Sequence, residues 1–181
     1  MTELTLVGID PGIVDTGLVS IRLDSLRQTI QVTTQVWTGV TSKNGHSIKV
    51  DEYFLDDLAG FIQHETMENS ATFTFVEGFR PRGRDMIQDK KMMAMVQTIN
   101  MSIKGSKIVD NTGIKKTVTE PMLKLFGCSR FQGTHHADLK SAARVALKGG
   151  IDIPPLNRLL ADYVRDNLNG TPWSHRSIVT L

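Results

Sequence analysis

Two carboxylates each stand at the point where a short apolar segment ends. Asp10 follows the run 5–9 and precedes Pro11-Gly12, and Glu77 follows the run 71–76. Segments of this composition predict buried strands, and the ends of neighbouring strands open onto a crevice in which ligands bind. If the two strands are neighbours, we expect both carboxylates to lie within reach of one divalent cation. Either carboxylate alone could have no role beyond stabilising a turn, so the prediction of a cation site depends on both together.

A third carboxylate belongs to a helix predicted over 135–148. Thr134 is a suitable N-cap for this helix, and Gly149-Gly150 is expected to end it. Asp138 lies in the first turn, and His135, three residues earlier, shares its face. If this helix packs over the strand ends, it adds both side chains to the carboxylate pair. Asp138 alone could serve only to complement the helix dipole.

Such a set of side chains suits the binding of a divalent cation and a phosphate. Carboxylate oxygens favour Mg²⁺ and Mn²⁺, which also accept phosphate oxygens and water. Two ions about 3.5–4 Å apart would stabilise both the attacking water and the leaving oxygen of a phosphodiester. We therefore expect Mg²⁺, with Mn²⁺ able to substitute, and two ions per site.

His135 has two possible roles at such a site. A neutral imidazole would ligate the metal or orient water, whereas a protonated one would stabilise charge on the scissile phosphate. His136 points about 100° away along the helix and is the second candidate.

The chain has 181 residues, of which 40% are hydrophobic and 22% are charged, as in a globular domain with a substantial core. We expect a single domain over 1–181, with a tail at about 169–181. No segment has the run of about 18 apolar residues that spans a membrane, and no export signal is recognisable. The single cysteine, Cys128, excludes an internal disulfide and a cysteine-rich zinc site, so we expect a cytoplasmic protein.

The pattern of apolar residues predicts an α/β fold with a mixed five-stranded sheet flanked by helices. The first three strands have short connections and should form an antiparallel meander. The predicted strands are 5–9, 17–23, 29–37, 71–76 and 107–110. The predicted helices are 47–66, 86–103, 115–126, 135–148 and 156–168.

The net charge of +2 hides an uneven distribution. Residues 80–130 hold 11 Lys and Arg against 4 Asp and Glu, whereas the rest of the chain holds 10 against 15. A basic middle region between acidic ends favours the approach of a polyanion to one face, although a solvated surface of mixed charge is the alternative. Lys140, Arg144 and Lys148 form a stripe at helical spacing that we expect to face solvent or phosphate.

Four short segments together resemble the RuvC family of Holliday junction resolvases. They are Gly8-Ile9-Asp10-Pro11-Gly12 with Thr16-Gly17, Phe75-Val76-Glu77, Ile114-Lys115-Lys116-Thr117-Val118, and His135-His136-Ala137-Asp138. The segments occur in the family's order over about residues 4–148. The resemblance implies an RNase H-like fold, a homodimer, and Mg²⁺-dependent symmetric nicking of four-way DNA junctions.

The resemblance also implies roles for single residues. Asp10, Glu77 and Asp138 match the family's metal ligands. His135 stands where the family has a further acidic residue or a histidine, so this sequence departs from the version with four acids.

The segment after Glu77 is expected to contact DNA. Phe79 is similar, at a different spacing, to an aromatic residue that the family places in a loop entering the junction, where it would stack on an opened base. The alternative is that Phe79 packs beneath its own loop. Lys115 matches the family's basic residue in its segment, and Lys116 adjoins it. The side chains expected to hold phosphates are Arg80, Arg82, Arg84, Lys115 and Lys116.

The helix predicted over 86–103 resembles the family's dimerisation helix. Its five methionines either fill the core or cover a partner subunit. A dimer would allow two active sites each to cut one strand.

Three other functions are open to a chain of this pattern. An RNase H-like nuclease acting on other branched DNA, flaps or RNA–DNA hybrids would need the same three carboxylates. An actin-like ATPase also begins with a strand, Asp-x-Gly and Thr-Gly, but it needs a second domain for which 181 residues are too few. A non-catalytic DNA-binding module is disfavoured, because three carboxylates near DNA repel its phosphates when no metal is bound.

Overall fold

The structure is a computed structural model that describes residues 3–44, 47–67, 71–81, 83 and 86–179. The strands are β1 (Glu3–Asp10), β2 (Asp15–Asp24), β3 (Thr29–Thr38), β4 (Thr41–Asn44), β5 (Ser47–Val50), β6 (Ala71–Gly78), β7 (Lys107–Asp110) and β8 (Ser174–Val179). The helices are α1 (Glu52–Met67), α2 (Met86–Ser102), α3 (Ile114–Thr117), α4 (Glu120–Leu125), α5 (His136–Ile151) and α6 (Pro154–Leu168). None of the helices in the described ranges is long and apolar enough to cross a membrane.

One mixed sheet with the order β7-β6-β1-β2-β3-β8 forms the centre of the molecule. The first three strands make the predicted antiparallel meander, and β6 and β7 extend the sheet parallel to β1. Helices lie on both faces, with α1 and α2 over one core and α5 and α6 over the other. The predicted α/β class with a mixed sheet is confirmed, and the arrangement agrees with the RNase H-like fold that the resemblance implies.

The sheet has six strands rather than the five predicted, because β8 lies in the segment taken as a tail. This strand pairs in parallel with β3 at the edge of the sheet. Its first residues are polar, so no alternation of apolar residues marks it. Long-range contacts hold it instead: buried Trp173 packs edge-to-face on Tyr163 at 5.1 Å, and the Tyr163 hydroxyl lies 3.2 Å from Nε2 of His175.

Successive side chains of β1 point alternately into two cores. Leu4 and Leu6 belong to the core beneath α5 and α6, whereas Val7 and Ile9 belong to the core beneath α1 and α2. Since the period of a strand is two residues, Asp10 belongs to the same face as Leu6. The face covered by α5 is therefore the one on which the predicted site lies.

Helix α5 packs directly on the sheet because small residues occupy the contact. A Cβ atom added at Gly8 would lie 2.0 Å from the carbonyl oxygen of Ala142, so only glycine permits this approach. The prediction that Gly149-Gly150 ends the helix is wrong, since α5 continues to Ile151. Added Cβ atoms would lie 2.3 Å from the Phe75 ring at Gly149 and 2.8 Å from Leu6 at Gly150, so these glycines serve packing.

The helix predicted over 47–66 begins later, because a hairpin of β4 and β5 precedes it. The carboxylate of Asp51 accepts a hydrogen bond from the Phe54 N–H at 3.0 Å. An acceptor at this position satisfies a free N–H of the first turn and defines the start of α1. Residues before Asp51 are β-branched and polar in alternation, which suits a short hairpin.

The helix predicted over 115–126 is divided into α3 and α4. Val118 is the C-cap of α3, Thr119 after it is extended, and Pro121 lies in the first turn of α4. Proline has no N–H to continue a preceding helix but suits a helix start. The helix predicted over 86–103 is confirmed as α2 to within one residue.

Candidate active site

Asp10 and Glu77 lie side by side at the carboxyl ends of two neighbouring parallel strands. In the register of β1 and β6, Ile9 is the partner of Val76, so the next residue on each strand is a carboxylate. Both carboxylates point to the face covered by α5, because each follows its buried neighbour by one step of the pleat. The predicted neighbourhood of the two strands is therefore confirmed.

The first turn of α5 brings Asp138 to the same end of the sheet. Gly17 of β2 is the cross-strand partner of Asp10. A Cβ atom added at Gly17 would lie 3.1 Å from the carbonyl carbon of Asp138, so the helix start rests on the strand next to Asp10. His135 Nδ1 lies 3.5 Å from Oδ2 of Asp138, as the shared helical face predicts.

The N-cap of α5 is His135 and not Thr134, which was the predicted cap. The His135 side chain makes no capping hydrogen bond. Asp138 in the first turn supplies the negative charge that the N-terminal end of a helix dipole favours.

Asp10 is the carboxyl group most strongly perturbed by this arrangement. Burial raises its pKa to about 9, with further contributions from the neighbouring Glu77 and from Asp138. A hydrogen bond from Ser141 opposes the shift. With this pKa the Asp10 carboxyl keeps its proton at neutral pH, and a cation beside it would favour the ionised form.

The crowded carboxylates repel one another when they are ionised, and a divalent cation that prefers oxygen ligands would compensate this charge. The residues present therefore fit Mg²⁺ or Mn²⁺. The residues that could hold it are Asp10, Glu77 and Asp138, with His135 beside them. In the described part of the chain, however, no three His, Cys, Asp or Glu side chains already surround a single ion position. The carboxylates thus lie at the same end of the sheet, but they do not converge on one ion position.

Sequence reasoning missed two residues that hold Glu77. Nδ2 of Asn111 donates to Oε1 of Glu77 at 3.1 Å, and Oγ of Ser141 donates to Oε2 at 2.7 Å. Asn111 follows β7 directly, and Ser141 lies three residues after Asp138 on the same face of α5. Their places at a strand end and on the Asp138 face are signals that could have identified both.

A third missed residue is Asp15, at the start of β2. Its Oδ2 lies 3.7 Å from Nδ1 of His135. Because Asp15 is separated from Asp10 by a turn, its position in the sequence suggests a turn residue and not a site residue.

The second histidine candidate has a structural role. Nδ1 of His136 accepts a hydrogen bond from the Phe131 N–H at 2.9 Å, and the two rings lie 6.2 Å apart. His136 thereby holds the loop before α5.

A cavity of 190 Å³ adjoins the carboxylate pair on the α2 side. Asp10, Glu77 and Asn111 line its polar part, and Phe79 and Met92 line its apolar part. Phe79 is half-buried and packs against the core beneath α2. Of the two interpretations of Phe79, packing beneath its loop fits the structure, and stacking on a base stays a prediction.

The predicted phosphate contacts are only partly described. Arg80 is exposed and forms an ion pair with Asp110 at 3.1 Å. Lys115 and Lys116 are exposed on α3. Two predicted contacts, Arg82 and Arg84, lie outside the described residues.

The basic stripe of α5 pairs with carboxylates instead of facing open solvent. Lys140 and Arg144 lie 2.6 and 3.2 Å from the two oxygens of Glu120, and Lys148 pairs with Asp152. The three basic side chains are largely buried, so the stripe joins α5 to Glu120 of α4 and to Asp152 in the loop after α5. The expectation that it faces solvent or phosphate is wrong.

Only one of the methionines of α2 is fully buried. Met95 belongs to the core, whereas Met86, Met93 and Met101 are exposed at 69%, 41% and 77%. Ile87 beside them is also exposed. An apolar surface on this helix is therefore left uncovered by the rest of the described chain.

No protein-family model matches the sequence, and no curated protein matches it. Similar solved structures include T. thermophilus RuvC in complex with a Holliday junction substrate, at 14% identity and a TM-score of 0.48, over 94% of this chain and 98% of that chain. A Thermus thermophilus RuvC structure has 13% identity and a TM-score of 0.47, over 94% and 99%. The large terminase nuclease from thermophilic phage G20c has 9% identity and a TM-score of 0.32, over 80% and 81%. At these values the likeness is distant and assigns no activity to this chain.

Proposed function

We propose that this protein is a metal-dependent, structure-selective DNA endonuclease of the cytoplasm that resolves four-way junctions by paired symmetric nicks. The observation that carries the proposal is the meeting of Asp10, Glu77 and Asp138 at one end of the sheet. The raised pKa of Asp10 supports it, because this carboxylate cannot ionise readily at neutral pH unless a cation compensates the charge. The family resemblance of the motifs supports the choice of DNA junctions.

In this proposal, Asp10, Glu77, Asp138 and His135 hold Mg²⁺ or Mn²⁺, two ions per site. Bound in this way, the ions would activate water and stabilise the leaving oxygen of the phosphodiester. The protein's own part is to fix its ligands: Glu77 is held from two sides, and Asp10 must lose its proton to become a ligand. His135 would ligate the metal, orient the attacking water or, when protonated, stabilise charge on the scissile phosphate.

The DNA would lie across the end of the sheet where these residues meet. Lys115 and Lys116 of α3 and Arg80 after β6 are exposed cations within five residues of the site residues Asn111 and Glu77 in the sequence. Contacts from such side chains to phosphates displace counterions and supply most of the affinity. Arg82 and Arg84 extend the same proposal along the segment after Glu77.

A homodimer completes the proposed function, because one site cuts one strand. The exposed methionines of α2 favour the second of the two interpretations of this helix, in which they cover a partner subunit. Flexible thioether side chains adapt well to such a surface.

A second candidate function is cleavage of other branched DNA, flaps or RNA–DNA hybrids with the same site. The observation that favours it is Phe79, which is half-buried and so does not project as a wedge for the centre of a junction. Substrate choice separates the two candidates, whereas the metal-binding residues do not.

The variants Asp10→Asn, Glu77→Gln and Asp138→Asn test the proposed metal site. Each is expected to abolish cleavage of a labelled junction in Mg²⁺, because a metal ligand is lost. Junction binding is expected to survive, because none of the three substitutions adds negative charge near the phosphates. Asp57→Asn is the matched control, since Asp57 is an exposed carboxylate of α1. A variant that cuts at the wild-type rate would show that its residue is not a ligand, and a simultaneous loss of binding would indicate a folding role.

A further inference from the structure

Glu77 is the only proposed ligand among the described residues for which each carboxylate oxygen has its own hydrogen-bond donor. Oε1 accepts from Nδ2 of Asn111 at 3.1 Å, and Oε2 accepts from Oγ of Ser141 at 2.7 Å. The two donors come from opposite sides, one after β7 and the other on α5. The carboxylate therefore has a fixed plane as well as a fixed position.

A glutamate at the end of a strand has several rotatable bonds, and its neighbour Asp10 carries a like charge when ionised. Without donors, repulsion would turn the Glu77 carboxylate away from Asp10 and toward solvent. Ser141 gives its single hydroxyl proton to Oε2 of Glu77. This hydrogen bond holds the Glu77 carboxylate beside Asp10, in the arrangement that would receive a cation.

Asn111 is itself held by the turn that follows β7. The backbone carbonyl oxygen of Asn111 accepts a hydrogen bond from the Ile114 N–H at 3.1 Å. The preceding Asp110 accepts from both the N–H and the hydroxyl of Thr112 at 2.9 and 2.8 Å. The amide of Asn111 is therefore presented to Glu77 by a closed turn, and the same turn begins α3 with its exposed lysines.

Packing alone does not explain a serine at position 141. The neighbouring Ala142 and Ala143 are fully buried, and they serve the close contact of α5 with the sheet. Ser141 is partly buried, and the hydrogen bond to Glu77 accounts for its hydroxyl. On one helix face, His135, Asp138 and Ser141 follow one another at intervals of three residues.

We propose that Asn111 and Ser141 are positioning residues that set the affinity of the site for divalent cations by holding the carboxylate of Glu77. The proposal rests on the proposed function for the metal site, and it concerns two residues outside the ligand set. Partners that orient a ligating carboxylate typically change metal affinity by about 10- to 100-fold when they are removed.

The test is calorimetric titration of the full chain with Mn²⁺ alone, without DNA. Asn111→Ala and Ser141→Ala are expected to weaken Mn²⁺ binding about tenfold or more. Ser141→Thr keeps a hydroxyl at the same position and is expected to restore most of the affinity. Asn157→Ala and Ser42→Ala, at exposed positions away from the carboxylates, are the matched controls. Thermal unfolding of each variant without metal shows whether it is folded.

Glu77→Gln, titrated with Mn²⁺ in the same way, distinguishes failure of the positioning proposal from failure of the proposed metal site. If Glu77→Gln loses Mn²⁺ binding while Asn111→Ala and Ser141→Ala bind it as the wild type does, the positioning roles are disproved and the metal site stands. If Glu77→Gln binds Mn²⁺ unchanged, the metal site of the proposed function is disproved, and the positioning roles with it. Should Ser141→Ala fail to fold, Asn111→Ala and the comparison of Ser141→Thr with the wild type still decide the matter.

Discussion

Nδ1 of His135 lies 3.7 Å from Oδ2 of Asp15. Asp138 approaches the same nitrogen from within the first turn of α5, at 3.5 Å. Nδ1 is therefore the ring nitrogen that faces both carboxylates, and Asp15 and Asp138 together orient the imidazole of His135.

Substitution of His135 tests this role. We expect His135→Ala to lose most cleavage. We expect His135→Asp to keep substantial activity, because a carboxylate can ligate the metal through oxygen in place of the imidazole nitrogen. Asp15→Asn should lower activity less than His135→Ala does, since it weakens the orientation of the ring without removing it. Cleavage of a junction in Mg²⁺ is measured for each variant over a range of pH. Full activity of His135→Ala throughout that range would mean that the side chain takes no part in catalysis.

The raised pKa of Asp10 predicts how stability depends on pH. The folded state keeps this proton up to a pH of about 9, whereas the unfolded state loses it near 3.8, so metal-free stability should fall as pH rises through this interval. Asp10→Asn removes the contribution and should raise Tm at pH 8 by at least about 3 °C, or about 1 kcal/mol in a chain of this size. Thermal unfolding in a chelating buffer measures the effect, with Asp57→Asn as control.

Mn²⁺ should then reverse the order of the two proteins at pH 8. The wild type gains stability because the cation replaces the proton of Asp10, and Asp10→Asn gains little. Equal stabilisation of both proteins by Mn²⁺ would contradict a ligand role for Asp10.

The strand ends and the first turn of α5 could be predicted from the sequence, because a few neighbouring residues are enough to identify each of them. An apolar run followed by a carboxylate identifies Asp10 and Glu77, and helical spacing places His135 beside Asp138. Strand β8 could not be predicted in this way, since its place depends on the contacts of Trp173 with a distant helix.

The residues around the ligands were missed for a related reason. Ser141 and Asn111 acquire a role only when α5 and β7 are brought to Glu77, and a sequence pattern does not show which elements meet. From the sequence alone, Gly149 predicts a helix end, because glycine is the residue most often found just after one. In the structure Gly149 lies within α5, because the ring of Phe75 occupies the space that a side chain would need.

Two glycines in contact with α5 should respond differently to substitution. Gly8→Ala puts a methyl group 2.0 Å from the Ala142 carbonyl oxygen, so it should cost about 3 kcal/mol of unfolding free energy. Gly17→Ala meets Asp138 at 3.1–3.3 Å, so it should shift the first turn of α5 slightly and lower cleavage about tenfold at a small cost in stability.

Gly60→Ala is the control for both substitutions, because nothing lies within 4 Å of the added Cβ in α1. Denaturant unfolding and single-turnover cleavage measure the two effects. If Gly17→Ala cleaves at the wild-type rate, the position of Asp138 on β2 does not limit catalysis.

The basic side chains are tested by the salt dependence of binding. Lys115→Ala, Lys116→Ala and Arg80→Ala should each weaken binding to all DNA shapes and reduce the slope of log K against log salt by about one unit. Arg80 is expected to show the smallest effect, since its ion pair with Asp110 must be broken to reach a phosphate. Arg158→Ala, at an exposed position of α6, is the control. An unchanged slope for all three variants would place the DNA on another face.

The most direct test of the proposed function is cleavage of a four-way junction with each strand labelled, in Mg²⁺ and in a chelator. Linear duplex, flap and RNA–DNA hybrid of matched sequence are measured beside it. We expect Mg²⁺-dependent nicks at symmetric positions in two opposing strands of the junction, with little cleavage of the linear duplex. Preferential cleavage of the flap or the hybrid would favour the second candidate function. Absence of cleavage of every substrate in Mg²⁺ and in Mn²⁺ would contradict a nuclease.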